Sequence, residues 1–353
     1  MSSPENKALR HRSRAVILGC GGPVLGDAER RFFRDADPLG FILFARNCKD
    51  PDQVRNLIAE LRDCVGRADA PVLIDQEGGR VARLGPPHWR AVPPARRFAE
   101  IAGRDRDRAV EAARLNAHLI AAELFQLGIT VNCAPVLDVA QTDAHPIIGD
   151  RAYGGRPEMA ALLGWAVCEG LVDGGVMPVI KHIPGHGRAM ADSHEALPVV
   201  VEALADLDAV DFAPFRALNH MPWAMTAHVV YRAIDPDRPA TTSAPVIAEA
   251  IRGAIGFDGV LLSDDIAMKA LDGDIGSRAR AALAAGCDVV LHCSGALADM
   301  KSVTEATGLL SDAALDRLAR GAGKWRAPVA LNTAKALARL DNLFDDGEVT
   351  ASG

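Results

Sequence analysis

Short apolar runs recur along the chain at residues 15–18, 40–44, 72–74, 131–134, 177–180, 224–226, 259–262 and 288–291. Between them lie longer segments in which apolar positions return with helical spacing, among them residues 51–65, 105–127, 157–173, 207–218, 245–254 and 277–285. Several of these open at Pro, Ser or Asp and stop near Gly, as helix ends do. Strands alternating with helices, without a break in composition, predict one parallel (β/α)8 TIM-like barrel of the α/β class. A doubly wound sheet is the alternative reading of the same alternation. Against it, Gly19-Cys20-Gly21-Gly22 is not the GxGxxG fingerprint, and no Walker sequence occurs. The barrel is expected over residues 14–344, between a polar, basic tail at 1–13 and an acidic, small-residue tail at 345–353. After Cys293 the pattern predicts one closing helical region.

Polar groups gather where the predicted strands stop. Arg46 and Asn47 follow the second strand, Asp75 ends the third and Asn132 lies in the fourth. Lys181 and His182 follow the fifth, His228 the sixth, Asp264 the seventh and His292 the eighth. Any one of them could simply mark a strand meeting solvent. Their repetition matches a barrel whose C-terminal mouth is its active site.

The 353-residue length suits one barrel with insertions, and 49% hydrophobic residues can fill a large core. A net charge of −7 argues against a nucleic-acid partner, which calls for a basic face. No basic segment followed by an apolar run opens the chain, and no stretch approaches the ~18 apolar residues of a membrane span. Seven cysteines, odd in number and without a CxxC pair, read as reduced buried thiols. The expectation is therefore a cytoplasmic protein with no membrane or nucleic-acid partner. No coiled coil or large apolar helix face stands out, which favours a monomer.

Three stretches carry candidate chemistry. Asp75-Gln76-Glu77-Gly78-Gly79-Arg80-Val81-Ala82-Arg83 places an acid at a strand end, then a glycine turn, then two arginines. Such a carboxylate can accept from two sugar hydroxyls, and Arg83 can return to it or to the ligand. Lys181-His182-Ile183-Pro184-Gly185-His186-Gly187, followed by Asp192-Ser193-His194, holds three histidines. Pro184 and Gly185 break any helix between His182 and His186, so this is not the HExxH arrangement of metal ligands. In an extended loop Asp192 and His194 project to one side. A carboxylate beside an imidazole favours its charged form and makes a general acid near neutral pH. Gly259-Val260-Leu261-Leu262-Ser263-Asp264-Asp265 is a buried strand ending in paired carboxylates. Neighbours on a strand face opposite ways, so only one should face the mouth squarely, and Asp265 could cap a following helix. Arg151, in Asp150-Arg151-Ala152-Tyr153-Gly154, could contact a sugar hydroxyl or a carboxylate.

Together with Gly40-Phe41-Ile42-Leu43-Phe44-Ala45-Arg46-Asn47 and Ala134-Pro135-Val136-Leu137-Asp138-Val139, these stretches resemble the glycoside hydrolase family 3 β-N-acetylglucosaminidases. The resemblance is to the short, single-domain bacterial type of peptidoglycan recycling and runs from about residue 39 to 293. Ile183 and Ala152 stand where the family often has Phe and Ser. The resemblance implies that Asp264 is the nucleophile and His194, paired with Asp192, the general acid/base. It implies that Asp75, Arg83, Arg151, Lys181 and His182 bind the terminal N-acetylglucosamine. The implied reaction is a retaining hydrolysis through a covalent glycosyl-enzyme, with no metal or organic cofactor. The implied substrate is a small glycan or muropeptide ending in 1,6-anhydromuramic acid. A metal-dependent barrel hydrolase using His182, His186 and His194 is one rival, although its usual His-x-His pair is missing from the first strand. A non-catalytic sugar-binding barrel is the other, although it should have lost Asp264 or His194.

Overall fold

A computed structural model of the chain describes residues 12–141, 147–189 and 197–345. Eight parallel strands close into a barrel. In chain order they are β1 (Arg14–Gly19), β2 (Pro38–Leu43), β3 (Val72–Ile74), β4 (Val131–Asn132), β5 (Met177–Ile183), β7 (Trp223–Thr226), β9 (Val260–Asp265) and β10 (Val289–His292). Two short strands, β6 (Val199–Val200) and β8 (Val230–Tyr231), pair with each other outside the barrel. The expected eight strands are thus all present. The fourth is shorter than its apolar run, ending ahead of Pro135, which has no N–H for a ladder.

Both faces of the strands are apolar because both are covered. Ile17, Ile42, Leu73, Val131, Val179, Met225, Val260, Leu262 and Leu291 point into the barrel and form one core cluster. Their neighbours Leu18, Phe41, Ile74, Ile180, Ala224, Leu261 and Val290 point outward into a second cluster shared with the helices. The two-residue alternation fixes what faces the barrel axis beyond each strand. Asp75 continues the parity of Leu73, Lys181 that of Val179, and Asp264 that of Leu262. All three groups, two carboxylates and one amine, are therefore carried inward at the C-terminal mouth.

Helix ends follow the expected chemistry. Asp50 caps Pro51–Val65 by accepting from the Gln53 amide, Asp105 caps Arg106–Leu127, and Gly66 and Gly128 end these helices at positive φ. The segment expected as one helix at 207–218 is broken into Leu204–Asp206, a wide π-type turn at Leu207–Asp211, and Ala213–Ala217. Pro214 forces the break, since it has no N–H and its ring crowds the preceding turn. Past Cys293 the chain forms three helices, Leu297–Ala306, Asp312–Ala322 and Thr333–Phe344, where one closing region was expected. Leu310, Ala314, Leu315 and Leu318 join the inner core and close the barrel at its N-terminal end. All seven cysteines are unpaired, in line with the expectation of free thiols. No helix among the described residues is long and apolar enough to cross a membrane.

Candidate active site

The strand ends converge on a cavity of about 230 Å³ at the C-terminal mouth. Asp75, Arg83, Arg151, Lys181, His182 and Asp264 all line it. The volume is below the roughly 300–1,000 Å³ of pockets for drug-sized ligands, which suits a single ring. A larger cavity of about 590 Å³ opens at the opposite end of the barrel. Its walls are mainly apolar, with Trp223, Trp325 and Leu318, and the two arginines that line it, Arg62 and Arg67, donate to backbone carbonyls. Size alone would select the wrong end.

Asp75 is gripped from two sides. Lys181 Nζ donates to Oδ1 at 2.7 Å and Arg83 Nη2 to Oδ2 at 3.1 Å. Arg83 returns across eight residues because the Gln76 side chain ties the turn together, accepting from the amides of Arg83 and Leu84 and donating to the Leu84 carbonyl. Asn132 in turn bonds both the amide and the carbonyl of Gln76. Burial opposes the charge on Asp75, but Lys181 and Arg83 outweigh it and hold its pKa well below the usual carboxylate range.

Glu77, which sequence reasoning did not single out, completes the network. Arg151 clamps it through Nε and Nη2, both at 2.8 Å, and Lys181 Nζ reaches it at 2.7 Å. Lys181 therefore bridges two carboxylates. Burial resists ionisation of Glu77, and Arg151 and Lys181 overcome it, bringing its pKa down to about 2. The signal was its place two residues after Asp75, where side chains of an extended segment share a side.

The Glu77–Arg151 pair is buried, with 8% and 9% of the side chains exposed. Glu77→Gln should leave Arg151 without its carboxylate, while Lys181 keeps Asp75, and destabilise the fold by about 3–5 kcal/mol near neutral pH. A carboxyl whose pKa is depressed on folding contributes stability above its ordinary value of 4.5, and loses it as pH falls toward 2. The variant should therefore show a flatter loss of stability over that acid window. Urea denaturation across pH checks this, and equal midpoints for both proteins at neutral pH would contradict it.

His182 is held by a residue whose role was not legible. Asp138, fully buried, accepts from His182 Nδ1 at 2.7 Å and from the amides of His182 and His186 at 3.2 and 2.7 Å. The ring is thereby fixed as an Nδ1–H donor, leaving Nε2 for the cavity it lines. The 184–187 turn packs so closely on this segment that a Cβ on Gly187 would lie 2.0 Å from the Val139 carbonyl oxygen. Burial pushes the pKa of His186 down to about 4, so this ring is neutral at physiological pH.

Asp264 and Asp265 part company. Burial raises the carboxyl of Asp264, but the positive character of His228 and His182, the Asp265 amide and Lys181 prevail, and its pKa falls below the ordinary value. Asp265 Oδ1 accepts from the amides of Ala267 and Cys293 at 3.0 and 3.2 Å, and burial, with Asp264 alongside, pushes its pKa up. Both border the cavity, and of the two Asp264 is the one whose surroundings favour the ionised carboxylate. The segment after Asp265 is a series of turns, not a helix start. The next helix, Ile275–Ala285, is capped by Asp274 instead.

Among the other strand-end groups, Arg46, Asn47 and Asn132 bind backbone. Arg46 and Asn47 both donate to the Cys20 carbonyl. Asp192 and His194 lie outside the described residues. The arrangement supplies an ionised carboxylate facing a sugar-sized cavity, beside the carboxylates of Asp75 and Glu77, an ammonium, two guanidiniums and an imidazole able to bond hydroxyls.

Residues 27–320 match the family model described as "Glycosyl hydrolase family 3 N terminal domain". The chain is 40% identical over 283 residues to a protein named "Beta-hexosaminidase" from Pseudomonas aeruginosa, covering 79% of this chain and 82% of that one. It is 39% identical over 325 residues to another of that name from Chromobacterium violaceum, covering 88% and 87%. Its structure is similar to native NagZ from Neisseria gonorrhoeae, with a TM-score of 0.84, 31% identity, and coverage of 95% and 98%. That protein is also known in complex with N-trifluoroacetyl-D-glucosamine and with zinc ion.

Proposed function

The chain belongs to glycosyl hydrolase family 3, and from that premise we propose that it is a retaining β-N-acetylglucosaminidase acting on small peptidoglycan fragments. The observation that carries the reading is the ionised Asp264 at the mouth, set opposite the Asp75–Lys181–Arg83 cluster in one cavity. Asp264 attacks the anomeric carbon and displaces the aglycone, forming a covalent glycosyl-enzyme. His194, paired with Asp192, protonates the departing oxygen and then takes a proton from water, which releases the sugar with its configuration retained. Asp75, Lys181, His182, Arg83 and Arg151 bind or frame the hydroxyls of the terminal N-acetylglucosamine. The aglycone is 1,6-anhydromuramic acid with or without peptide, which assigns the protein to cell-wall recycling in the cytoplasm.

Hydrolysis of a chromogenic N-acetyl-β-glucosaminide, followed by NMR of the first-formed anomer, tests the reading. The β-anomer should appear first, and an α-anomer or no cleavage would end it. Muropeptide digestion followed by mass should show loss of one N-acetylglucosamine from the anhydro disaccharide. A chelator should leave the rate unchanged. His182 Nδ1 is committed to Asp138, and Pro184 and Gly185 separate His182 from His186. Loss of activity in EDTA with recovery on adding zinc would favour the metal-dependent alternative.

A further inference from the structure

His228 follows the β7 strand and takes no part in the chemistry above, yet it is fully buried beside Asp264, as are Thr226 and Thr241. Resting on the hydrolase reading, we infer that Thr226, Thr241 and His228 form a hydrogen-bond circuit that positions the backbone of the nucleophile. The ladder between β7 and β9 pairs Trp223 with Val260, Ala224 with Leu261 and Met225 with Leu262, and goes no further. Asp264 lies past its end; β10 still pairs Leu291 with Asp265 on the other side, but on the β7 side the hold on the backbone passes to side chains.

They do so in sequence. The Asp264 amide donates to Thr226 Oγ1 at 3.4 Å, and Thr226 Oγ1 lies 2.7 Å from Thr241 Oγ1. Thr241 Oγ1 lies 2.7 Å from His228 Nδ1, and His228 Nε2 lies 3.0 Å from the carbonyl oxygen of Asp265. A carbonyl only accepts, so Nε2 carries a hydrogen. With a neutral ring, Thr226 donates to Thr241 and Thr241 donates to Nδ1. With a charged ring, Nδ1 donates to Thr241, whose own proton goes to the Ala227 carbonyl at 3.1 Å. In both states the circuit runs from the amide of Asp264 to the carbonyl of Asp265 with every polar atom matched. Thr241 reaches this point because the 229–243 loop folds back, with the Ala240 amide on the Val229 carbonyl and the Ser243 hydroxyl on Asp235. None of these three residues lines the cavity; they are positioning residues for Asp264.

The test is steady-state kinetics on a chromogenic N-acetyl-β-glucosaminide, with melting curves to ensure that only folded protein is compared. Thr241→Val preserves shape but opens the circuit. It should lower kcat by about 10–100-fold, the scale of a small misplacement of a reacting group. KM should stay within about twofold, since the hydroxyl-binding groups are untouched. Thr241→Ser restores the hydroxyl and should restore kcat. If the valine variant does not fold, His228→Gln keeps a donor for Asp265, loses the Nδ1 link, and should show the same split. Unchanged kcat in folded Thr241→Val, a fall in kcat matched by an equal rise in KM, or no rescue by serine would overturn the inference. A wild-type protein inactive on every N-acetylglucosaminide would instead remove the hydrolase reading, and the circuit's catalytic meaning with it.

Discussion

Replacing Asp264 by Asn is expected to lower turnover by about 10⁴-fold or more while leaving sugar affinity nearly intact. Asparagine keeps the size and the Oδ1 that accepts from the Asp265 amide at 2.8 Å, so the strand end should hold its shape. It lacks the charged oxygen that bonds to carbon. The interaction lost exists only as the anomeric carbon becomes electron-poor, so the loss falls on kcat. Asp265→Asn should do far less, because its Oδ1 serves the amides of Ala267 and Cys293 and the amide oxygen of asparagine accepts equally well. A 2-fluoro N-acetylglucosaminyl donor that slows the second displacement should trap an adduct. Peptide mapping then decides: a label on Asp265, on Asp75 or on no residue refutes the assignment.

The second large effect is expected at His194. With alanine there, hydrolysis of substrates with poor leaving groups should slow by about 10²–10⁴-fold, the usual worth of general acid catalysis. Activated phenols leave without a proton, so their first displacement should be nearly unaffected. The ratio of the two rates is the measurement. An equal loss on both substrate classes would assign His194 to binding or structure. An imidazole starts near a pKa of ~6.5, so on the proposed reading Asp192 needs only to orient it and favour its charged form.

Much of the site was legible from local pattern. Asp75, Lys181 and Asp264 each follow an apolar run by an even step from an inward-facing residue, and the two-residue period carries that parity to the mouth. The glycine-rich turn after Asp75 allowed Arg83 to come back to it or to a ligand, but did not show that Gln76 would do the tying. The role of Glu77 was not legible, because an acid in a turn is usually solvated and nothing in the segment itself reveals Arg151, 74 residues later in the chain.

The periodicity alone determined the fold class, the strand order along the chain and the ends of most helices, because these depend on neighbours within one or two turns. It also determined that two adjacent aspartates point opposite ways, so that only one faces the mouth squarely. Only the closed barrel decided what those side chains meet. Lys181 became a bridge between Asp75 and Glu77 when β3 and β5 were brought to the same mouth. Asp138 became the partner of His182 through a contact across 44 residues. Thr241 came to rest against His228 because a loop folded over the end of a ladder. Such contacts depend on register and closure, which are set by the packing of the whole chain, and burial then gives them their strength by removing the water that would screen them.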